Sequence, residues 1–242
     1  MTEAASRADQ VWDVVSAHAD SLGVPVSVLS LCQVAAARLP VDGVAVSVRG
    51  GRVSCEVLCA IGPLSRQLEE LQLTVGEGPS LEVLAGSASV LVSELDCART
   101  QARWPLFAAA AVQAGARAMF ALPLRIGAIH GGVFVLASER PGQLPAEDLA
   151  QAWVFAEFAL RLILDAQAGI DSPERHPVVD TLFISRPAIH QATGMISVQL
   201  GVGIEEAFSR LRARAFAEER PLSELAADVV ARRLRFDPED IA

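Results

Sequence analysis

The chain has 242 residues, a hydrophobic fraction of 52% and a formal net charge of −9. That length holds one large or two small domains with real cores, and an acidic total speaks against a nucleic-acid binder unless the charge is unevenly divided. No apolar run reaches the roughly 18 residues a membrane helix needs, because Gln113 and Arg117 interrupt the richest stretch and Glu157 and Arg161 the next. The polar opening MTEAASRADQ lacks the apolar core of a signal peptide, so a soluble cytoplasmic protein with no membrane partner is expected.

Residues Ser6 to Leu39 place Val11, Val14, Val15, Val28, Leu31, Cys32, Ala35 and Leu39 at helical spacing, broken around Gly23 to Pro25. Val44 to Val48 and Val53 to Ala60 flank the turn Arg49-Gly50-Gly51-Arg52, which predicts a hairpin with one half-buried face. A short helix over Leu64 to Leu73 leads to Gly76-Glu77-Gly78-Pro79-Ser80 and a second short helix over Leu81 to Ala85. Strands are expected at Ser89 to Val92, Ala118 to Leu124 and Gly131 to Ser138, with a helix at Leu106 to Ala114 and a hairpin turn through Arg125 to His130.

Pro145 to Ala168 reads as a long helix with Leu149, Trp153, Ala156, Leu160, Ile163 and Gln167 on one stripe. That stripe can pack on the domain's own sheet or against a second copy of the chain. Antiparallel strands with helices before, between and after them define an α+β fold.

Gly76-Glu77-Gly78-Pro79 ahead of a helix invites a phosphate-cradle reading. It lacks the spacing of a phosphate loop and carries an anion, Glu77, where an anion would bind, so a tight structural turn is expected. The cysteines Cys32, Cys55, Cys59 and Cys97 form no CxxC pair, and no histidine lies at metal-ligand spacing. Cys55 and Cys59 on one strand would stand about 13 Å apart, too far for a disulfide. Buried reduced thiols, no metal and no cofactor are expected. His130 reads as a loop residue, and no nucleophile–base or paired-carboxylate pattern appears, so the chain is not expected to be an enzyme.

This order of elements, with GEGPS before a short helix and LPLRIGAIHGGVFVLAS as the closing hairpin, resembles a GAF domain over roughly Asp20 to Asp165. The resemblance implies a sensory or dimerising domain over residues 1–170 and leaves open a small-molecule ligand. A phosphoacceptor domain is not implied, since no acidic pair follows a first strand.

Asp171-Ser172-Pro173-Glu174-Arg175-His176-Pro177, with two prolines and no periodicity, reads as a linker within residues 171–180. Beyond it, residues 181–242 form an all-α three-helix domain. Ile189, Ala192, Ile196 and Leu200, then Phe208, Leu211 and Ala215, then Leu225, Val229 and Val230 mark three amphipathic helices. The first opens near Pro187 and ends at Gly201 and Gly203, the second opens at Glu205 and Glu206, and Ser223 is the expected N-cap of the third.

From Thr181 to Phe236 there are eight arginines and six acids, so the excess of acid lies in the remainder of the chain. All 20 basic residues are arginine, so an anion here meets a planar guanidinium able to bind bidentately or to stack. Arg186, His190, Thr193 and Ser197 share a polar face of the first helix by their spacing of 4, 3 and 4. Glu206, Arg210, Arg214 and Glu218 form an i, i+4 ladder on the second, while Phe208 and Phe216 read as core.

The pattern Arg186-x-x-Ile189-x-x-Ala192-x-Gly194-Met195-Ile196, followed by Glu206-Ala207-Phe208-x-x-Leu211-Arg212-x-x-Ala215 and Leu222-x-x-Leu225-Ala226-x-x-Val229-Val230, resembles an ANTAR domain across all three helices. ANTAR modules are RNA-binding transcription antiterminators. The resemblance implies that RNA stem-loops are the partner, that RNA polymerase is met only indirectly and that the protein is a homodimer. It assigns RNA contact to Arg186, His190, Thr193, Gly194, Ser197 and Arg212, with Gly194 letting a backbone or an RNA loop approach. Thr193 stands where the family usually has lysine. Two other readings compete: a helix-turn-helix DNA binder, since PLSELAADVV resembles the first helix of that motif, and a redox enzyme built on converging cysteines.

Overall fold

The computed structural model describes residues 3–49, 55–86, 88–127, 129–168 and 187–237, with the backbone alone for 3–6 and 187. Strands β1 (Gly43–Val48), β2 (Glu56–Ile61), β3 (Val90–Val92), β4 (Ala118–Ile126) and β5 (Ile129–Ser138) form one antiparallel sheet in the order β2-β1-β5-β4-β3. Helices α1 (Glu3–Leu22), α2 (Val28–Arg38) and α7 (Ala146–Ala168) cover one face, and α3 (Pro63–Val75), α4 (Pro79–Leu84) and α6 (Pro105–Gln113) the other. A further one-turn helix, α5 (Ala98–Arg103), precedes α6.

Alternation along β4 shows the three layers. Ala118, Phe120, Leu122 and Leu124 pack under α1, α2 and α7, whereas Met119 and Ala121 belong to the opposite core. With helices on both faces the strands carry apolar residues almost continuously. The half-buried hairpin face expected for β1 and β2 is therefore replaced by two buried faces: Val57, Leu58, Cys59 and Ala60 are all buried. Val46 pairs with Cys59 and Ser47 with Val57, which leaves Leu58 as the extra residue of a bulge.

The α7 stripe packs on its own sheet. Leu160 and Ile163 lie in the core with Phe155 and Ala159, so they offer nothing to a second copy, whereas Trp153 of the same stripe is exposed. The linker expected within 171–180 lies outside the described residues.

Three helices follow: α8 (Pro187–Leu200), α9 (Ile204–Ala217) and α10 (Leu222–Val230). They close on Ile189, Ala192, Ile196, Phe208, Leu211, Ala215, Leu225 and Val229, as the spacing predicts. Leu73 of α3 belongs to this same cluster, so the C-terminal helices are seated on the N-terminal domain. Pro221, not Ser223, precedes α10; the Ser223 amide donates to Glu70 Oε1 at 2.9 Å and so helps to fix the two domains together.

Candidate nucleic-acid interface

Helix α8 contains no acidic or basic residue other than His190, and its outer face is open. His190 and Gln191 are exposed, Val198 is 84% exposed, and a Cβ added at Gly194 would meet no atom within 4 Å. A glycine inside a helix costs about 1 kcal/mol relative to alanine, and nothing within the described residues approaches closely enough to require it. An uncharged, solvent-facing stripe with a missing side chain at its centre is a surface on which a partner's backbone can lie flat.

Thr193 and Ser197 do not extend that stripe. Thr193 is 1% exposed and its hydroxyl donates to the Ile189 carbonyl at 2.7 Å, one turn back in the helix. Its spacing from Ile189 and Ile196 puts it on the core side. Ser197 is half-buried, and its Oγ donates to the Val202 carbonyl at 2.6 Å while the Val202 amide donates to the Ser197 carbonyl at 3.1 Å, locking the turn into α9. Arg186 lies outside the described residues.

Arg212 has a different partner from the one the sequence suggests. Its Nε donates to the Thr74 carbonyl at 3.1 Å and its Nη2 to the Val75 carbonyl at 2.9 Å, so it caps the carboxyl end of α3 from another domain. The negative helix end and its unpaired carbonyls suit a cation. The guanidinium also lies 5.7 Å from the Phe208 ring centroid, and burial lowers its pKa from the ordinary arginine value without removing its charge.

Among the described residues of α8 to the end, seven arginines remain, and most are neutralised locally. Arg210 pairs with Glu206 at 3.1 Å and Arg214 with Glu218 at 2.8 Å, as the ladder predicts. Arg220 and Arg233 share Asp228 at 2.6 and 2.7 Å, and together they hold its carboxyl below the usual aspartate value, Arg220 first. Arg235 sits 3.5 Å from Asp237. Arg212 and Arg232 are the two with no carboxylate within ion-pair distance among the described residues. Arg232 is exposed, just beyond the end of α10, in a left-handed conformation at φ 59°. Phe216, expected in the core, is 50% exposed.

On the N-terminal domain, the GEGPS stretch is a structural junction. Glu77 Oε1 accepts the Leu106 and Phe107 amides at 2.6 and 2.9 Å, capping α6, whose own N-cap residue Trp104 makes no side-chain bond. Beneath it lies a buried polar cluster that composition and spacing do not disclose. Ser47 Oγ donates to Glu69 Oε2 at 2.7 Å, Gln72 Nε2 to Glu69 Oε1 at 2.9 Å, and the Ser80 amide to Gln72 Oε1 at 2.7 Å. These groups satisfy one another and tie α3 and α4 to the sheet.

Of the four cysteines, Cys32 and Cys59 are neighbours in one core, and Cys55 and Cys97 lie elsewhere. Cys55 immediately precedes β2 and Cys97 follows β3, strands at opposite edges of the sheet. Cys32 and Cys59 are buried in the core beneath α2, and burial, aided by Cys59, pushes the Cys32 thiol well above its ordinary value. No group of metal-ligating side chains and no helix long and apolar enough to cross a membrane occur among the described residues.

Residues 184–230 match the family model of the ANTAR domain. No curated protein is similar in sequence at a significant level. Among solved structures, the chain is similar to the GAF domain of a phosphoenolpyruvate-protein phosphotransferase from Coxiella burnetii, with 14% identity and a TM-score of 0.49, covering 68% of this chain and 99% of that one. The corresponding GAF domain from Acinetobacter gives 13% identity and a TM-score of 0.47, covering 67% and 98%. A domain of a putative two-component sensor histidine kinase from Sinorhizobium meliloti 1021 gives 16% and 0.46, covering 58% and 91%. Residues 184–230 are thus similar to the ANTAR domain family, and these helices are seated on a five-stranded antiparallel α+β domain.

Proposed function

We propose that this protein is a non-catalytic transcription antitermination regulator whose C-terminal helices bind RNA stem-loops and whose N-terminal domain senses a signal. The observation that carries the reading is the ANTAR match over the three helices, combined with the uncharged open face of α8 around Gly194. ANTAR domains belong to RNA-binding antitermination regulators, and GAF domains to sensors. In this reading His190, Gln191 and Gly194 receive unstacked loop bases, while Arg212 and Arg232, which pair with no carboxylate among the described residues, take phosphates. The protein acts in the cytoplasm as a homodimer that meets RNA polymerase only through the transcript.

Two structural features weigh against the competing readings. Residues 231–237 form turn and irregular chain, so no recognition helix follows α10 within the described residues, as a helix-turn-helix reader requires. The adjacent thiols of Cys32 and Cys59 are buried in the core, and Cys55 and Cys97 lie by opposite sheet edges, an arrangement that does not favour a thiol enzyme.

A pool of synthetic RNAs carrying two adjacent stem-loops with randomised loop bases tests the reading. Wild-type protein should retain a subset of the pool, with affinity falling against salt by about 0.7 log units per phosphate contact for single-stranded segments. Arg232→Ala should flatten that slope by about one contact, and Arg210→Ala, within its Glu206 pair, should leave it unchanged. No retention of any RNA at low salt would remove the proposal. Light scattering should give twice the 25.6 kDa chain mass; a monomer at all concentrations, with and without RNA, would remove the dimer.

A further inference from the structure

The contact that seats the C-terminal helices on α3 uses Arg212, one of two arginines among the described residues of that domain without a carboxylate at ion-pair distance. Both hydrogen bonds go to backbone carbonyls at the negative end of a helix, a site that offers a guanidinium what a phosphate offers: oxygen acceptors with negative potential. The dock is built for this side chain. Gly76, in the left-handed conformation at φ 76°, ends α3, and a Cβ placed on it would lie 1.8 Å from Arg212 Nη2. Around it, Leu73 enters the C-terminal core and Glu70 accepts the Ser223 amide. The adjoining stripe of α3 sends Glu69 and Gln72 into the buried polar cluster with Ser47 and Ser80. One helix therefore links the interior of the N-terminal domain to the seat of the C-terminal one.

We propose that the carboxyl end of α3 is an autoinhibitory docking site that competes with RNA for Arg212. This rests on the RNA reading above. In the docked state the Nε–Nη2 edge of the guanidinium donates into α3 and is not available for a bidentate phosphate contact. RNA binding then requires release of the C-terminal helices from α3. With about a tenth of molecules released, the apparent Kd is about tenfold weaker than that of the free domain. A signal that alters the packing of Glu69 or Gln72 would reach the dock through α3 itself.

The test uses the full chain and two variants that loosen the dock without altering any side chain of α8 to α10. Gly76→Ala places a Cβ on the guanidinium, and Leu73→Gln puts an amide into the shared core; Leu73 belongs to the C-terminal cluster and not to either core of the sheet. Hydrogen exchange at the Ser223 amide, bonded to Glu70 only when docked, reports release. The RNA probe is the randomised stem-loop pool.

Both variants should exchange Ser223 faster and bind RNA about tenfold more tightly. Arg212→Ala should also exchange faster but gain no affinity, and RNA added to wild type should speed exchange at Ser223. The proposal is overturned if released variants bind RNA no tighter than wild type, or if neither variant releases Ser223. RNA bound by wild type with α3 still docked would also overturn it, and each of these leaves the RNA reading standing. Absence of RNA binding in every variant removes that reading and this one together.

Discussion

Gly194 and Thr193 are neighbours in sequence with opposite physical situations. Thr193 is enclosed by Ile189 and Ile196, so a lysine in its place, as the ANTAR family usually has, would need its stem to reach past that core before its ammonium met water. Gly194 is a helix-interior glycine with open space before it, and the fold gives no reason for it. Gly194→Ala should therefore raise stability by about 0.5–1 kcal/mol, since alanine loses less backbone entropy in a helix. The same change should weaken RNA retention if a loop lies against that backbone. Thermal melting and the stem-loop titration measure the two effects separately, and a variant that is both more stable and equally competent would take the RNA off this face. Arg212 carries a related lesson: on helical spacing alone it looks like a removable surface arginine, but with two inter-domain hydrogen bonds its loss costs docking as well as charge.

Among the elements, the α3–α4 junction shows how a sequence motif can be read correctly in kind but not in detail. The spacing of GEGPS excludes a phosphate loop, and the acidic side chain at its centre has a partner that only the tertiary structure discloses: the start of α6, about thirty residues downstream in the chain. Glu77→Ala should cost about 1 kcal/mol, as for other lost helix caps, with the loss confined to α6. Urea unfolding and amide exchange in residues 105–113 check this; unchanged exchange there would mean that the cap contributes nothing.

The long periodic helices and most strands were legible because hydrophobic period survives translation into structure. The six-residue α5 was not, since one turn has no period to detect. Spacing and polarity put Thr193 on the open side of α8, and the structure puts it on the core side, because a hydroxyl counts as polar only until its own helix satisfies it. The seat on α3 was invisible for a different reason: Leu73 looks like an ordinary core residue of its own helix, and nothing local says that its cluster belongs to the C-terminal domain.

At the scale of the whole molecule, this shared residue makes the stability of the C-terminal helices conditional on α3. Leu73 is 5% exposed and packs with Phe208, Leu211 and Leu222 in their cluster, while neither core of the sheet contains it. A small three-helix unit buries little surface by itself, so one borrowed leucine is a sizeable part of its stabilisation. Leu73→Ala should cost about 2–3 kcal/mol, within the range for large-to-small core substitutions. The cost should fall unequally: amides of α8, α9 and α10 should lose protection by about the full amount, and amides of β1, β4 and β5 should keep theirs. The same asymmetry should appear in reverse for Phe134→Ala, which opens the core between the sheet and α7. Residue-resolved hydrogen exchange on both variants decides the matter. Equal loss of protection in sheet and C-terminal helices after Leu73→Ala would mean that the two domains unfold as one cooperative unit, leaving no separately stable N-terminal domain from which the helices can be released.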